Sequence, residues 1–322
     1  MRAIVIGTGF GARVVAPTYE SLGIACTVVS PHDDAAVRAA CAERVDLVSV
    51  HSPPFLHHAH VMAALDHGHA VLCDKPFGRD APEARAMRDR ARALGVLHFL
   101  NFEFRQQPAR VRLKALLDEG RIGMLRHVGW SVIGSGLRGQ KHRWLFEAEQ
   151  AGGWLGAYGS HAIDTLRFLT GSEVAQCSAV ARTEITTRPD KQGVMRRSTA
   201  EDAFSSWMRM ENGCTVAFDT AYSAPITLPQ RLTLLGSDGV LELVDDRRLT
   251  LRMPDRPDES FDFTPPDGDP HIGSLVPWLE RVAAALRDGR QIAPDFDDGV
   301  AVAETMDAMR ASFSANAGAV VP

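Results

Sequence analysis

Residues 1–15 read MRAIVIGTGFGARVV, and the class of fold is set there. An apolar run, AIVI at 3–6, stops at Gly7-Thr8-Gly9-Phe10-Gly11-Ala12, and a helix-compatible run, ARVVAPTYESLG at 12–23, follows at once. Strand, glycine-rich turn and helix in that order make a cradle for phosphate. Gly7 permits the tight turn, Gly9 lets the backbone approach a pyrophosphate, and Ala12 keeps the helix close to the strand while the first amides face the anion. A glycine turn carries little weight in isolation. Here it lies between strand and helix and leads into further βα units, which favours nucleotide binding over a merely structural turn.

Working outward, ACTVVS (25–30), DLVSV (46–50), AVLCD (70–74) and VLHFLN (96–101) alternate with alanine-rich helical runs such as DDAAVRAACAE and APEARAMRDRARALG. That alternation predicts an α/β, doubly wound, mostly parallel sheet over residues 1–120. Beyond residue 120 the pattern becomes extended and polar-alternating, as in LRHVGWSVIG, AFSSWMRMENGCTVAFDT and QRLTLLGSDGVLELV. Asn212-Gly213 and Asp238-Gly239 are hairpin turn signals. Residues 121–322 therefore read as a second, α+β domain around an antiparallel sheet. Its helices are SHAIDTLRFLTG, closed by Gly171, SLVPWLERVAAALRDG, closed by Gly289, and GVAVAETMDAMRASFSANAG. The polar runs at 187–202 and 253–271 read as surface loops.

The 322 residues include 45% hydrophobic and 23% charged residues, an ordinary globular composition. A net charge of -5 argues against general affinity for nucleic acid or anionic membrane, which leaves small soluble ligands as the default. The longest apolar runs are strand-sized, short of the roughly 20 residues a spanning helix needs. The opening residues break into glycines, which does not suit a secretory signal. Five scattered cysteines, at 26, 41, 73, 177 and 214, spell neither a disulfide framework nor a thiolate metal site. A reduced, cytoplasmic protein is the expectation.

The strand ACTVVS ends beside the expected position of an adenosine ribose. A carboxylate there would favour NAD by repelling a 2′-phosphate; the chain has Ser30-Pro31-His32 instead. Ser30 and His32 can bond a phosphate and Arg13 can reach it, which favours NADP over NAD. Asp33 and Asp34 read as caps of the next helix, with contact to the ribose as the alternative. Ser52, Pro53 and His57, beyond the strand DLVSV, are expected to border the cofactor, because ligands sit at the carboxyl ends of such strands. The histidines at 57, 58, 60, 67 and 69 lack a carboxylate or cysteine to complete a ligand set, so no metal is assigned and they read as solvated or capping. Asp74-Lys75-Pro76 ends the strand AVLC. A lysine fixed there can donate to a substrate oxygen and stabilise developing charge, where a surface turn is the bland alternative.

GTGFGA, SPPFLHH, DKPFG, NFEFR and GGWLGAYGSHAID occur in an order and spacing that resembles the glucose-fructose oxidoreductase and inositol dehydrogenase family, Gfo/Idh/MocA. The likeness covers nearly the whole chain. It implies an N-terminal Rossmann domain and a C-terminal domain whose large, open, mostly antiparallel sheet covers the active site and joins subunits into a homodimer or homotetramer. It also implies that Lys75 binds substrate, with Asp74 beside it where the family usually has glutamate, and that His161 is the general acid/base. A larger departure is Ala157, where the family commonly carries an aspartate; alanine can neither hydrogen-bond nor take a proton. Tyr158, one residue on, can donate through its phenol, although a one-residue step on a helix turns the side chain by about 100°. Asp164, one turn after His161, can orient it.

Glu103, Arg105, the KHRW segment at 141–144 with Trp144, and Trp154 are candidate substrate contacts; helix docking and core packing are the competing roles. The resulting expectation is an NAD(P)-dependent oxidoreductase acting on a hydroxyl or carbonyl carbon of a sugar, cyclitol or related molecule, with an imine or dihydrodiol open. Two readings compete with it: a lyase or glycoside-cleaving enzyme that oxidises its substrate transiently with tightly held nucleotide, and a catalytically silent nucleotide sensor.

Overall fold

The computed structural model describes residues 1–264 and 268–316. The chain folds as two compact units, Met1–Gln106 with Pro266–Glu304, and Gln107–Pro265 with Thr305–Pro322.

In the first unit β1 (Arg2–Ile6), β2 (Ala25–Val29), β3 (Leu47–Val50), β4 (Val71–Cys73) and β5 (His98–Leu100) form a parallel sheet in the order β2-β1-β3-β4-β5. Strands β3, β4 and β5 are buried along their whole length, as expected where helices cover both faces, while β2 is the partly exposed edge. The chain leaves β1 in one direction and then steps the other way through β3, β4 and β5. Right-handed crossovers therefore place α1 (Ala16–Ser21) on one face, and α2 (Asp34–Cys41), α3 (Pro54–Asp66) and α4 (Ala81–Leu94) on the other. The reversal between β1 and β3 is the switch point at which open α/β sheets bind ligands.

The α1 face is completed by a late helix, Ile272–Asp288, closed by Gly289 in the left-handed conformation (φ 62°). Its Leu275, Trp278, Leu279 and Val282 are fully buried in the cluster that holds Val15, Tyr19, Leu72 and Phe99. Each such side chain contributes about 2–3 kcal/mol of burial, which explains why residues 266–304 return to this unit. The division expected at residue 120 differs in a second way: the helix α5 (Pro108–Asp118) belongs to the second unit, where Arg110 pairs with Asp246.

The second unit continues with β6 (Leu125–Ile133), α6 (Ser160–Thr170) and β7 (Val174–Arg182), then the small hairpin β8 (Thr187–Pro189) and β9 (Met195–Arg197). Strands β10 (Ala203–Met210), β11 (Thr215–Ala221), β12 (Arg231–Gly236), β13 (Val240–Val244), β14 (Arg248–Arg252) and β15 (Glu259–Asp262) follow. Eight strands make one sheet, β15-β14-β13-β12-β6-β11-β10-β7, antiparallel except for the β6–β11 pair. The turns at Asn212-Gly213 and Asp238-Gly239 join β10 to β11 and β12 to β13 as expected. Alternation is strict: Phe204, Ser206, Met208 and Met210 of β10 are buried, whereas Ser205, Trp207 and Arg209 between them are exposed.

Two expected loops contain structure. Residues 187–202 hold the β8–β9 hairpin and the buried side chains of Arg188, Ser198 and Asp202, which a polar composition conceals. Residues 253–271 hold the edge strand β15, which pairs with β14; positions 265–267 lie outside the described residues. The last helix runs Phe296–Asn316, and the remainder of the run expected to end it also lies outside them.

Candidate active site

Backbone hydrogen bonds set the carboxyl ends of the parallel strands in a row. Gly7 N donates to Val29 O at 3.0 Å, His51 N to Ile6 O at 2.8 Å, Asp74 N to Val50 O at 2.8 Å and Asn101 N to Cys73 O at 2.8 Å. Gly7 has φ +152°, and a Cβ there would stand 2.5 Å from His51 O. A Cβ at Gly11 would stand 3.0 Å from Val5 and from His51, whereas Gly9 faces open space. Gly11, which opens the π-turn Gly11–Val15, therefore packs closely against the sheet through Val5 and His51. Thr8 and Gly9 are exposed and Phe10 is half-buried. A strained Gly7, a tight Gly11 and an open Gly9 fit a dinucleotide pyrophosphate.

Asp74 accepts from the Lys75 peptide N–H at 3.0 Å, from Asn101 Nδ2 at 3.3 Å and from His51 Nδ1 at 3.2 Å. Burial raises its pKa, but the hydrogen bond from His51 and the charge of Lys75 outweigh that and hold the carboxyl well below its usual range. The Lys75–Pro76 peptide is cis. Burial pushes the Lys75 ammonium below its ordinary pKa, opposed by Asp74 and Glu103. Asn101 Oδ1 is buried with no hydrogen-bond partner among the described residues, at the end of β5. Glu103, 1% exposed, accepts from His271 Nδ1 at 2.8 Å. Burial lowers the His271 pKa, but Glu103 outweighs it and the net direction is upward. The His271 ring meets Phe10 edge-on at 5.0 Å, so this imidazole borders the glycine loop.

Of the histidines expected to be solvated or capping, His67 is exposed and is the C-cap of α3, His58 is half-buried, and His57, His60 and His69 are buried. His57 is wholly buried with Nε2 2.7 Å from Ser52 O and Nδ1 3.0 Å from Pro76 O, so it ties the loop after β3 to the loop after β4. His60 Nδ1 meets Ser52 Oγ at 3.0 Å and His69 Nε2 meets Cys41 O at 2.7 Å. Pro53 is the residue before α3. Among the described residues, no group of three or more His, Cys, Asp or Glu side chains is arranged to hold a metal ion. At the end of β2, Ser30 and His32 are exposed, and Ser30 Oγ accepts from His32 N at 3.4 Å. Asp33 caps α2 through Ala36 N at 2.9 Å, and Arg13 Nε donates to Gly9 O at 3.3 Å. Arg105 is bonded to Asp298 at 2.8 Å, which points to a role in docking the Phe296–Asn316 helix.

In the second unit a π-turn, Leu155–Gly159, leads into α6, where His161 is 2% exposed. Asp164 is buried and lies 3.9 Å from Arg167. Ala157 is half-buried on the π-turn. The phenol of Tyr158 donates to Gln230 Oε1 at 2.9 Å, and its ring stacks on Trp154 at 5.1 Å. Burial holds the Tyr158 pKa above its ordinary value, so the hydroxyl keeps its proton. Beside it, Arg110 forms a two-pronged pair with Asp246, both bonds 2.9 Å, and donates to Thr165 at 3.0 Å. Trp154 donates from Nε1 to Thr220 at 2.8 Å, which fits core packing, and Trp144 is half-buried beneath the Arg143 guanidinium at 5.9 Å.

Two family models divide the chain: "Oxidoreductase family, NAD-binding Rossmann fold" matches residues 1–102, and "GFO/IDH/MocA C-terminal domain" matches residues 111–242. The chain belongs to the Gfo/Idh/MocA oxidoreductase family. A mouse relative, glucose-fructose oxidoreductase domain-containing protein 1, is 28% identical over 259 residues, 74% of this chain and 65% of its own length. An uncharacterized oxidoreductase of Synechocystis is 28% identical over 312 residues, 90% of this chain and 82% of its own. Among solved structures, levoglucosan dehydrogenase in complex with NADH and levoglucosan superposes with a TM-score of 0.86 at 20% identity, covering 98% of this chain and 97% of that one. At that identity the likeness is one of fold.

Sequence reasoning passed over His51, Asn101, His271 and Arg110. Signals for three of them were present: a histidine and an asparagine ending apolar strands, and an arginine opening an otherwise unassigned helix. His271 had none, since nothing local ties position 271 to a loop at position 10.

Proposed function

We propose that this chain is an NAD(P)-dependent dehydrogenase or reductase acting on a hydroxyl or carbonyl carbon of a sugar, cyclitol or related polyol. The observation that carries the proposal is Lys75, half-buried at the carboxyl end of β4, next to the glycine cradle and with its pKa lowered by burial. When bound, the nicotinamide ring supplies the hydride acceptor or donor. Gly7, Thr8, Gly9, Phe10 and Gly11 hold the dinucleotide, with Ser30, His32, Ser52, Pro53, His57 and Asp74 bordering or bracing its site. Lys75 donates a hydrogen bond to the substrate oxygen, and His161 takes the hydroxyl proton in oxidation or returns it in reduction. Tyr158, on the π-turn before α6, lines the substrate side, with Ala157 leaving space beside it. The sugar class follows the family and relatives such as levoglucosan dehydrogenase.

NADP is the preferred nucleotide. Ser30, not a carboxylate, follows the last residue of β2, and Asp33 is engaged by the first turn of α2. The five free thiols suit a reducing, cytoplasmic setting. Subunits pair through the open face of the eight-stranded sheet, which carries Val180, Trp207 and Leu235 at 53%, 50% and 45% exposure.

The test is turnover of NADPH or NADH against a panel of polyols, aldoses and ketoses. Lys75→Met and His161→Ala are each expected to lower kcat by about 10²–10⁴-fold while NADPH still binds. Full rates in both variants would overturn the site. Substrate conversion without net change in nucleotide would select the lyase reading, and binding without turnover across the panel the silent sensor.

A further inference from the structure

His51 closes β3 at the switch point of the parallel sheet, and its side chain is wholly buried. On one side it is pressed by the glycine loop, since Cβ atoms added at Gly7 and Gly11 would stand 3.2 and 3.0 Å from His51 Cβ. On the other it joins a run of hydrogen bonds. Tyr19 Oη lies 3.0 Å from Ser49 Oγ, Ser49 Oγ lies 2.8 Å from His51 Nε2, and His51 Nδ1 lies 3.2 Å from Asp74 Oδ2.

The two ends fix the direction of donation. Asp74 is held as a carboxylate and can only accept, so Nδ1 carries a proton. A neutral ring then offers Nε2 as acceptor, Ser49 donates to it, and the Ser49 oxygen accepts from the Tyr19 hydroxyl, which burial keeps protonated. Tyr19 is 0% exposed, so the run ends in the core and conducts no proton to solvent. Its effect is on position.

We infer that His51 is a positioning residue: as the Nδ1-protonated tautomer it holds the Asp74 carboxylate, and through it the Lys75 peptide and Asn101, against the glycine cradle. The inference rests on the proposed role of Lys75. It gives the Asp-Lys-Pro turn an anchor in the strand next to it, so that a shift of the glycine loop moves the lysine as well.

Two measurements on the full chain test it without a substrate. In ¹⁵N-histidine-labelled protein, the ring signals that disappear in His51→Leu are expected to report a protonated Nδ1 and an unprotonated Nε2. In Ser49→Ala, which removes the donor to Nε2, the Nδ1-protonated fraction is expected to fall. The reverse tautomer, a doubly protonated ring, or a Ser49→Ala spectrum identical to the parent overturns the inference. The sequence holds four lysines, Lys75, Lys114, Lys141 and Lys191, so acetylation followed against pH by mass spectrometry resolves each one. Without the His51 donor Asp74 is no longer held beside the lysine, so its charge acts on the Lys75 ammonium from farther away. The Lys75 midpoint is therefore expected to drop by about one pH unit in His51→Leu and by less in Ser49→Ala, with the other three unmoved. An unmoved Lys75 midpoint in either folded variant also overturns it. A chain that meets both expectations yet turns over no polyol fails the dehydrogenase reading alone; an active chain that fails them loses only the anchor.

Discussion

At the carboxyl edge of the five-stranded sheet the buried polar side chains include His51, His57, His60 and Asn101, near Asp74 and Lys75, whereas the unit built on the eight-stranded sheet buries Arg110 and Arg188 against aspartates. Apart from the Asn101 amide, the first set is made of groups whose protonation can change, held by hydrogen bonds to loop carbonyls, to Ser49 and Ser52 and to Asp74. The second set consists of guanidiniums that stay charged, each clamped by several acceptors. Arg188 reaches Asp202 at 3.3 Å, Ser223 at 3.0 Å and the carbonyls of Arg138 and Gln140 at 3.2 and 3.3 Å, and covers the Phe146 ring at 4.0 Å. One arrangement suits proton and hydrogen-bond chemistry; the other fixes loops.

The largest effect that separates the two falls on the clamp. Arg188→Met leaves Asp202, 1% exposed, without its counter-charge, and is expected to destabilise the fold by about 3–5 kcal/mol in urea unfolding. NADPH binding by the folded fraction should be unchanged. Pairing it with Asp202→Leu should recover much of the loss, because the buried charge is then gone altogether. A paired variant no more stable than Arg188→Met would mean that the Glu184 and Ile185 amides, which donate to Asp202 at 2.7 and 3.3 Å, need its carboxylate as much as Arg188 does.

The same contrast explains what could be read in the sequence. The strand-turn-helix at 3–15, the alternation to residue 101, the Asn212-Gly213 and Asp238-Gly239 hairpins, and the Gly171 and Gly289 caps are local signals, and the structure repeats each of them. Lys75 and His161 were reached through motifs. Arg188 was taken for a surface residue because its neighbours are polar, and what buries it comes from residues 137–146, 202 and 223, far along the chain. The recruitment of residues 266–304 to the first unit was invisible for a related reason. Leu275, Trp278 and Leu279 declare an apolar helix face, but not the sheet that the face will cover.

The next largest effect is a pH dependence belonging to the histidine side of the comparison. Burial lowers the His60 pKa to about 4 from 6.5, and burial lowers that of His57 in the same direction. As pH falls through 6.5 the unfolded chain takes up a proton that the native His60 refuses until about pH 4, so stability is lost across that window. The difference corresponds to about 3 kcal/mol for His60. Urea unfolding at pH 7.5 and 4.5 should show a drop in the parent that His60→Gln reduces by roughly that amount. An equal drop in both would place the acid sensitivity elsewhere on the edge.

The smallest effect concerns the exposed tip of β2. Asp33 accepts from Ala36 N at 2.9 Å, and a lost cap of this kind costs about 1 kcal/mol. Asp33→Ala should therefore lower stability by about that much and leave the ratio of NADPH to NADH affinity where it was. Ser30→Asp should do the reverse, since a carboxylate at the end of the strand bonds the ribose hydroxyls and repels a 2′-phosphate. A shift of roughly tenfold toward NADH, about 1.4 kcal/mol, is expected with no change in unfolding. If Asp33→Ala weakens NADH tenfold instead, the carboxylate that recognises the ribose is the helix cap itself. The tip of β2 would then select NAD through a residue that the hydrogen bond to Ala36 holds in place, and the preference for NADP would be reversed.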